Sequence, residues 1–236
     1  MEYSESCAML YRHKTYNKVF CIGCNKTGTT SLENVLRRLG FSVPRLSDQE
    51  ARITVRSCAT DYRELVRFVD RYDAFRDRPF SRGELYVAVD ALFPDSRFIL
   101  TEREPEAWFN SLCNFNMKKF KLAPVEGFTA EDLIKKADYL YPGYLYEANM
   151  QWHTNFAPGS LDPQTHWDKQ FDRDFQIERY LARNERIKTY FMHAPEKLLV
   201  VDVTKEETTK RICEFLNLPE SSVFPMPHLN ATTPRN

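Results

Sequence analysis

The sequence predicts an α/β fold with a central parallel sheet covered by helices on both faces. Three observations carry this. Short apolar runs bounded by turn residues recur at 18–22, 97–100 and 197–203; apolar positions at helical spacing follow them; and the first run ends in a glycine-rich loop, "GCNKTG". Strands buried on both faces read as continuous apolar runs, and alternation of such runs with helices implies a parallel sheet.

In chain order, "KVFCI" (18–22) is the first strand, and Leu32, Val35, Leu36 and Leu39 mark the helix after the loop, with Gly40 as its stop. "DYRELVRFVDRYD" (61–73) has helical spacing at Leu65, Val66, Val69 and Tyr72 and leads into "AFRDRPF", a short strand broken by Pro79. Residues 84–93 read as a helix, Pro94 and Asp95 as a turn, and "RFIL" as the next buried strand. Pro105 opens a further helix in its favoured first-turn position. "KLLVVDV" is the last strand, and a helix follows it to about Leu216. Residues 114–170 break the pattern: rich in Tyr, Trp, Phe, Pro and Gly and without a sustained strand period, they read as an insertion or lid of helices and loops on a single domain spanning 1–236. Their rings either line an acceptor pocket or serve tertiary packing.

The 33 basic and 33 acidic side chains cancel, so no overall field draws the protein onto nucleic acid or an anionic membrane. With no apolar run of signal-peptide or membrane-spanning length, the expectation is a soluble, cytoplasmic protein. The six cysteines are scattered; Cys21 and Cys24 form the sole C-x-x-C pair and, with Cys21 inside an apolar run, read as free buried thiols. The sequons at Asn25 and Asn230 carry no weight without a secretory signal.

Strand, glycine-rich loop and helix, in that order, form an anion site, because free N–H groups of the loop and first helical turn converge and the helix dipole adds to them. A nucleoside-triphosphate loop places lysine directly after its second glycine. Here Gly23 and Gly28 keep that separation, but Lys26 precedes Gly28 and Thr29 follows it. Backbone N–H groups distinguish phosphate from sulfate poorly, so side chains decide: one cation, Lys26, and three hydroxyls, Thr27, Thr29 and Thr30, are offered to a tetrahedral oxyanion.

"KTGTTSL" after an apolar strand resembles the 5′-phosphosulfate loop of sulfotransferases that use 3′-phosphoadenosine 5′-phosphosulfate (PAPS), with Asn25 where their P-K-T-G-T-T form has proline. Those enzymes bind the 3′-phosphate with an arginine just after a strand and a serine eight residues later. In "RFILTEREPEAWFNSL" these positions are Arg103 and Ser111. In the cytosolic members the base is a histidine in an H-x-P setting between the two nucleotide motifs. Here that place reads Asp77-Arg78-Pro79, and glycan-modifying members likewise use a carboxylate base. "FDRDFQIERYLARNERIKTYF" and "FPMPHLN" are similar to the C-terminal half of small members, whereas the R-K-G-x-x-G-D-W-K segment that covers the nucleotide in cytosolic enzymes is absent.

The resemblance implies a three-layer, P-loop-like fold and transfer of a sulfuryl group from PAPS to a hydroxyl or amine, with release of 3′,5′-adenosine bisphosphate and no metal. Lys26, Thr27, Gly28, Thr29 and Thr30 would cradle the phosphosulfate, Arg103 and Ser111 would hold the 3′-phosphate, and Lys26 and Asp77 would act in catalysis. Asp90 is the reserve base, with His13, His153 and His166 also open; a strand-end cap or an ion pair to Arg76 or Arg78 is the other role open to Asp77. The acceptor is a small molecule, lipid or carbohydrate. Two competing readings remain: a P-loop kinase, with Asp202 after "LLVV" as a magnesium-binding aspartate, and an inactive sulfotransferase-like binding protein.

Overall fold

The computed structural model describes residues 15–45, 48–58, 61–122, 128–136, 141–205 and 207–227. His13, Cys7 and the Asn230 sequon lie outside the described residues. A four-stranded, wholly parallel sheet is built from β1 (Val19–Cys21), β2 (Ala74–Phe75), β3 (Arg97–Thr101) and β6 (Leu198–Val201), in the order β2-β1-β3-β6. The helices in chain order are α1 (Thr29–Arg38), α2 (Asp48–Cys58), α3 (Arg63–Val69), α4 (Leu85–Leu92), α5 (Pro105–Phe120), α6 (Ala130–Lys136), α7 (Tyr144–His153), α8 (Arg173–Tyr190) and α9 (Thr208–Phe215).

The first strand shows why the apolar runs are continuous. Successive side chains of a strand point to opposite faces. Val19 and Cys21 enter a core shared with Leu32, Val35 and Leu36 of α1 and Ile212 of α9. Phe20 and Ile22 enter the opposite core with Leu65 of α3, Val89 of α4 and Ile187 of α8. Phe20 is the hub of the second core, with ring centroids 5.2 Å from Phe75, 4.8 Å from Phe80 and 5.5 Å from Phe98. Full burial of such a side chain stabilises the fold by roughly 1.5–3 kcal/mol.

The chain runs from β1 to β2 on one side, while β3 pairs with β1 on the other. This reversal is a topological switch point, and the loops leaving β1 and β3 meet at the carboxyl ends of the strands, the end at which α/β sheets bind ligands.

Two parts of the architecture depart from the sequence expectations. Helix α3 is shorter than the stretch 61–73, because Asp73 is held by the backbone N–H (3.1 Å) and hydroxyl (2.6 Å) of Ser42, which turns the chain into β2. Within 114–170, read as free of strands, β4 (Thr154–Phe156) and β5 (Pro163–Thr165) form an antiparallel hairpin. The rest of that segment packs largely on itself: Phe120, Leu122, Phe128, Leu133, Tyr144 and Leu145 form a third apolar cluster.

Candidate active site

Gly23 and Gly28 set the path of the loop. A Cβ on Gly23 would run into Thr101 at the end of β3, and one on Gly28 into Val203 just after β6, so both glycines permit close backbone approach. Gly28 has φ +92° and caps α1 without a side-chain hydrogen bond. The first N–H groups of α1 are therefore left without intrahelical partners, at the positive end of the helix dipole.

Lys26 occupies the left-handed region at φ +71°, a conformation costing a side chain of this kind on the order of 1–2 kcal/mol. Neighbours from the β3–α5 connection and from α5 itself hold it there. Arg103 Nη1 donates to the Lys26 carbonyl at 3.3 Å, Trp108 Nε1 donates to the Asn25 carbonyl at 3.0 Å, and the Lys26 ammonium lies 4.4 Å from the centroid of Phe115. Arg103 is itself fixed by Tyr180 of α8. The Arg103 N–H donates to the Tyr180 hydroxyl (2.9 Å), which donates back to the Arg103 carbonyl (3.1 Å), while the Tyr180 ring stacks on Trp108 at 4.3 Å. Burial, reinforced by Arg103, lowers the Lys26 pKa, and Asp77 opposes the shift.

Asp77 follows β2 on the other flank of the loop and accepts a hydrogen bond from the Thr29 hydroxyl at 3.0 Å. Its other oxygen accepts the Arg78 N–H at 2.8 Å. Arg76 instead pairs with Glu33 (2.7 Å), and the Arg78 guanidinium donates to the Tyr144 hydroxyl (2.8 Å). Asp77, the loop and Arg103 thus form one connected constellation across β2, β1 and β3. Ser111, six residues beyond the start of α5, lies roughly 9 Å along that helix and is partly exposed.

The loop hydroxyls divide differently from the expectation that all three face an anion. Thr27 is 1% exposed, donates to the Cys24 carbonyl at 2.5 Å and meets the Thr101 hydroxyl at 2.5 Å, so it stitches the loop to β3. Thr29 is engaged by Asp77, and Thr30 is exposed.

The other titratable candidates are placed apart or occupied. Asp90 on α4 is bound by Lys197 (2.8 Å) and the Tyr190 hydroxyl (3.0 Å). Lys197 precedes β6, so Asp90 lies toward the amino end of the sheet, opposite the loop. His153 is 2% exposed, its Nδ1 donates to the Asn149 carbonyl (3.3 Å), and burial pushes its pKa down to about 4. His166 meets the Asn155 side chain at 2.9 Å on the hairpin. Asp202 accepts from the Thr204 N–H (2.9 Å) and hydroxyl (2.7 Å), closing a local turn after a strand that does not adjoin β1. Cys21 and Cys24 are buried free thiols whose pKa values burial raises.

Sequence reasoning missed Trp108, Phe115, Tyr180 and Arg183, which support the loop. Trp108 lay within the quoted "PEAWFNSL", but a role for an indole N–H is visible only once the helix is docked. Beside Pro79 lies a cavity of about 480 Å³ between the segment following β2 and helices α7 and α8. Among the described residues there is no helix long and apolar enough to cross a membrane and no cluster of three His, Cys, Asp or Glu residues suited to a metal ion.

No curated protein matches the chain. A sequence profile of the sulfotransferase domain family, however, matches residues 18–234, a span that takes in the loop, Asp77, the β3–α5 connection and α8. The chain therefore belongs to the sulfotransferase domain family.

Proposed function

We propose that this sulfotransferase uses PAPS as donor and transfers its sulfuryl group in line to an acceptor hydroxyl or amine, with Asp77 as the base. The observation that carries this reading is the convergence of Lys26, Arg103 and Asp77 through the Arg103 to Lys26 carbonyl contact and the Thr29 to Asp77 hydrogen bond. Lys26 and Arg103 are close enough for their charges to interact, and neither forms an ion pair with a carboxylate among the described residues. A cation pair of this kind, beside uncapped helical N–H groups, suits a ligand with several anionic groups.

Arg103 and Ser111 bind the 3′-phosphate, while Lys26, Thr30 and the N–H groups at the start of α1 bind the phosphosulfate. Thr27 and Gly28 act through the loop's shape, and Thr29 holds the Asp77 carboxylate toward the loop. Asp77 takes the proton of the acceptor hydroxyl as its oxygen bonds to sulfur. The bond between sulfur and the bridging oxygen breaks, and its electron pair stays on the 5′-phosphate of the departing 3′,5′-adenosine bisphosphate. Lys26 stabilises the charge that gathers on that oxygen. The positive potential for these steps comes from Lys26, Arg103 and the helix dipole.

The kinase reading is weaker on two counts: Thr29 stands where a kinase loop has its lysine, and Asp202 is committed to a local turn. The test is sulfuryl transfer from radiolabelled PAPS to a panel of phenols, alcohols, hydroxy acids and sugars, run on the wild type and on Asp77→Asn. Labelled product from the wild type, reduced in Asp77→Asn with bisphosphate binding retained, is the expected result. Full turnover in Asp77→Asn would remove Asp77 as the base.

A further inference from the structure

The cavity beside Pro79 has an unusual charge inventory. Among the described residues, Arg82, Arg179, Arg183 and Arg186 line it, with Glu84 and Glu178 as the acidic lining. Glu84 is already paired with Arg186 at 2.9 Å. Arg179, Arg183 and Arg186 come from one stripe of α8, spaced by four and three residues, and Arg82 comes from the segment after β2.

Arg183 is the most constrained of the four. It is 2% exposed, and its Nη1 donates to the Ile22 carbonyl at the end of β1 (2.9 Å). Its Nε and Nη2 have no hydrogen-bond partner, and it has no carboxylate ion pair among the described residues. Burying a guanidinium without a counter-charge is strongly unfavourable, so a site of this kind favours an incoming anion. Arg179 Nε likewise has no partner among the described residues, while its Nη2 donates to the Gln151 (3.1 Å) and Thr154 (3.4 Å) carbonyls. In the reading above Lys26 and Arg103 bind the donor's anionic groups, whereas the cavity is lined by the segment after β2 together with residues of α2, α7 and α8. Tyr62, Leu85, Ala148 and Trp152 give the same cavity apolar walls.

We propose that this cavity is the acceptor site and that it takes a hydroxylated apolar acid, with Arg183 binding the carboxylate and the reacting hydroxyl directed past Pro79 toward Asp77. The inference rests on the sulfotransfer reading for the identity of the ligand as acceptor. The carboxylate preference itself is independent of that reading. A planar carboxylate matches the guanidinium fork and compensates its charge.

The test uses the full chain and isothermal titration calorimetry, with and without saturating 3′,5′-adenosine bisphosphate. The probes are 4-hydroxyphenylacetate and 3-(4-hydroxyphenyl)propionate, each compared with its own amide, plus 4-hydroxybenzylphosphonate. For at least one pair the acid should bind about tenfold or more tighter than the amide, as expected for one charge-assisted contact. That preference should fall to within about twofold in Arg183→Met and persist in part in Arg183→Lys, while bisphosphate affinity, which Arg183 reaches only through its support of the loop at Ile22, should fall by less than about tenfold in either. Thermal melts report whether the variants fold; if Arg183→Met does not, the acid-to-amide ratio in the wild type decides. Equal binding of acids and amides, binding of neither, an undiminished preference in a folded Arg183→Met, or tighter binding of the phosphonate would overturn the proposal. Loss of bisphosphate binding in Arg183→Met would reassign Arg183 to the donor. Failure of the wild type to bind bisphosphate would sink the PAPS reading, and the titrations without nucleotide would still read the cavity.

Discussion

Replacing Arg103 by alanine separates nucleotide recognition from loop support. Among the described residues the guanidinium makes a single side-chain contact, to the Lys26 carbonyl at 3.3 Å, which is long for a hydrogen bond. Loss of that contact alone should weaken every loop ligand by no more than about 1 kcal/mol. A charge-assisted contact to the 3′-phosphate is worth about 1.5–3 kcal/mol, and the bidentate form lies at the upper end. At 1.4 kcal/mol per tenfold, the Kd for 3′,5′-adenosine bisphosphate should rise roughly 100-fold, and that for 5′-AMP by no more than about fivefold. Calorimetric titration of both nucleotides on wild type and variant measures the difference directly. Equal weakening of the two would show that Arg103 only supports the loop, and no change in either would place the 3′-phosphate elsewhere.

Asp77→Asn should lower turnover about 10²–10⁴-fold while leaving the Kd for 3′,5′-adenosine bisphosphate unchanged, which paired kinetic and calorimetric measurements on one preparation would check. Lys26→Met should raise the melting temperature at neutral pH, because burial and Arg103 depress the Lys26 pKa and so oppose its charged form in the fold; the same variant should lose turnover, and a lower melting temperature would contradict this balance. Gly28→Ala should destabilise the fold through positive φ and collision with Val203, and adding Val203→Ala should recover the collision but leave about 1–2 kcal/mol of backbone strain in denaturant titrations. His153, with its pKa lowered from 6.5 to about 4, favours the neutral ring in the fold. Its stabilisation is complete above pH 6.5 and declines as pH falls toward 4, by at most roughly 3 kcal/mol, so His153→Gln should flatten that part of the stability profile.

What the sequence disclosed followed from how local each signal was. Strands β1, β3 and β6 were legible because burial on both faces demands uninterrupted apolar runs, and Pro105 announced α5, whose start is completed by Glu104 accepting the N–H groups of Glu106 and Ala107. Helix α2, with Ile53, Thr54 and Val55 at its centre, lacked a helical signature because β-branched residues favour strands. The β4–β5 hairpin was invisible because three-residue strands without buried positions have no period to read. For the site, the loop and the residues after β2 and β3 could be found because their order along the chain fixes which sheet end they reach. Tyr180 and Arg183 could not, since their roles depend on α8 docking against loops some 80 and 160 residues away in sequence. Thr27 shows the reverse limit: its position in the motif was plain, but its inward-facing hydroxyl followed from the close approach of Thr101.

The most direct test of the central claim is titration of the wild-type chain with 3′,5′-adenosine bisphosphate and, separately, with ATP and magnesium. The account predicts tight binding of the bisphosphate without metal, and weak or absent binding of magnesium ATP. Magnesium-dependent ATP binding, with no affinity for the bisphosphate, would contradict it.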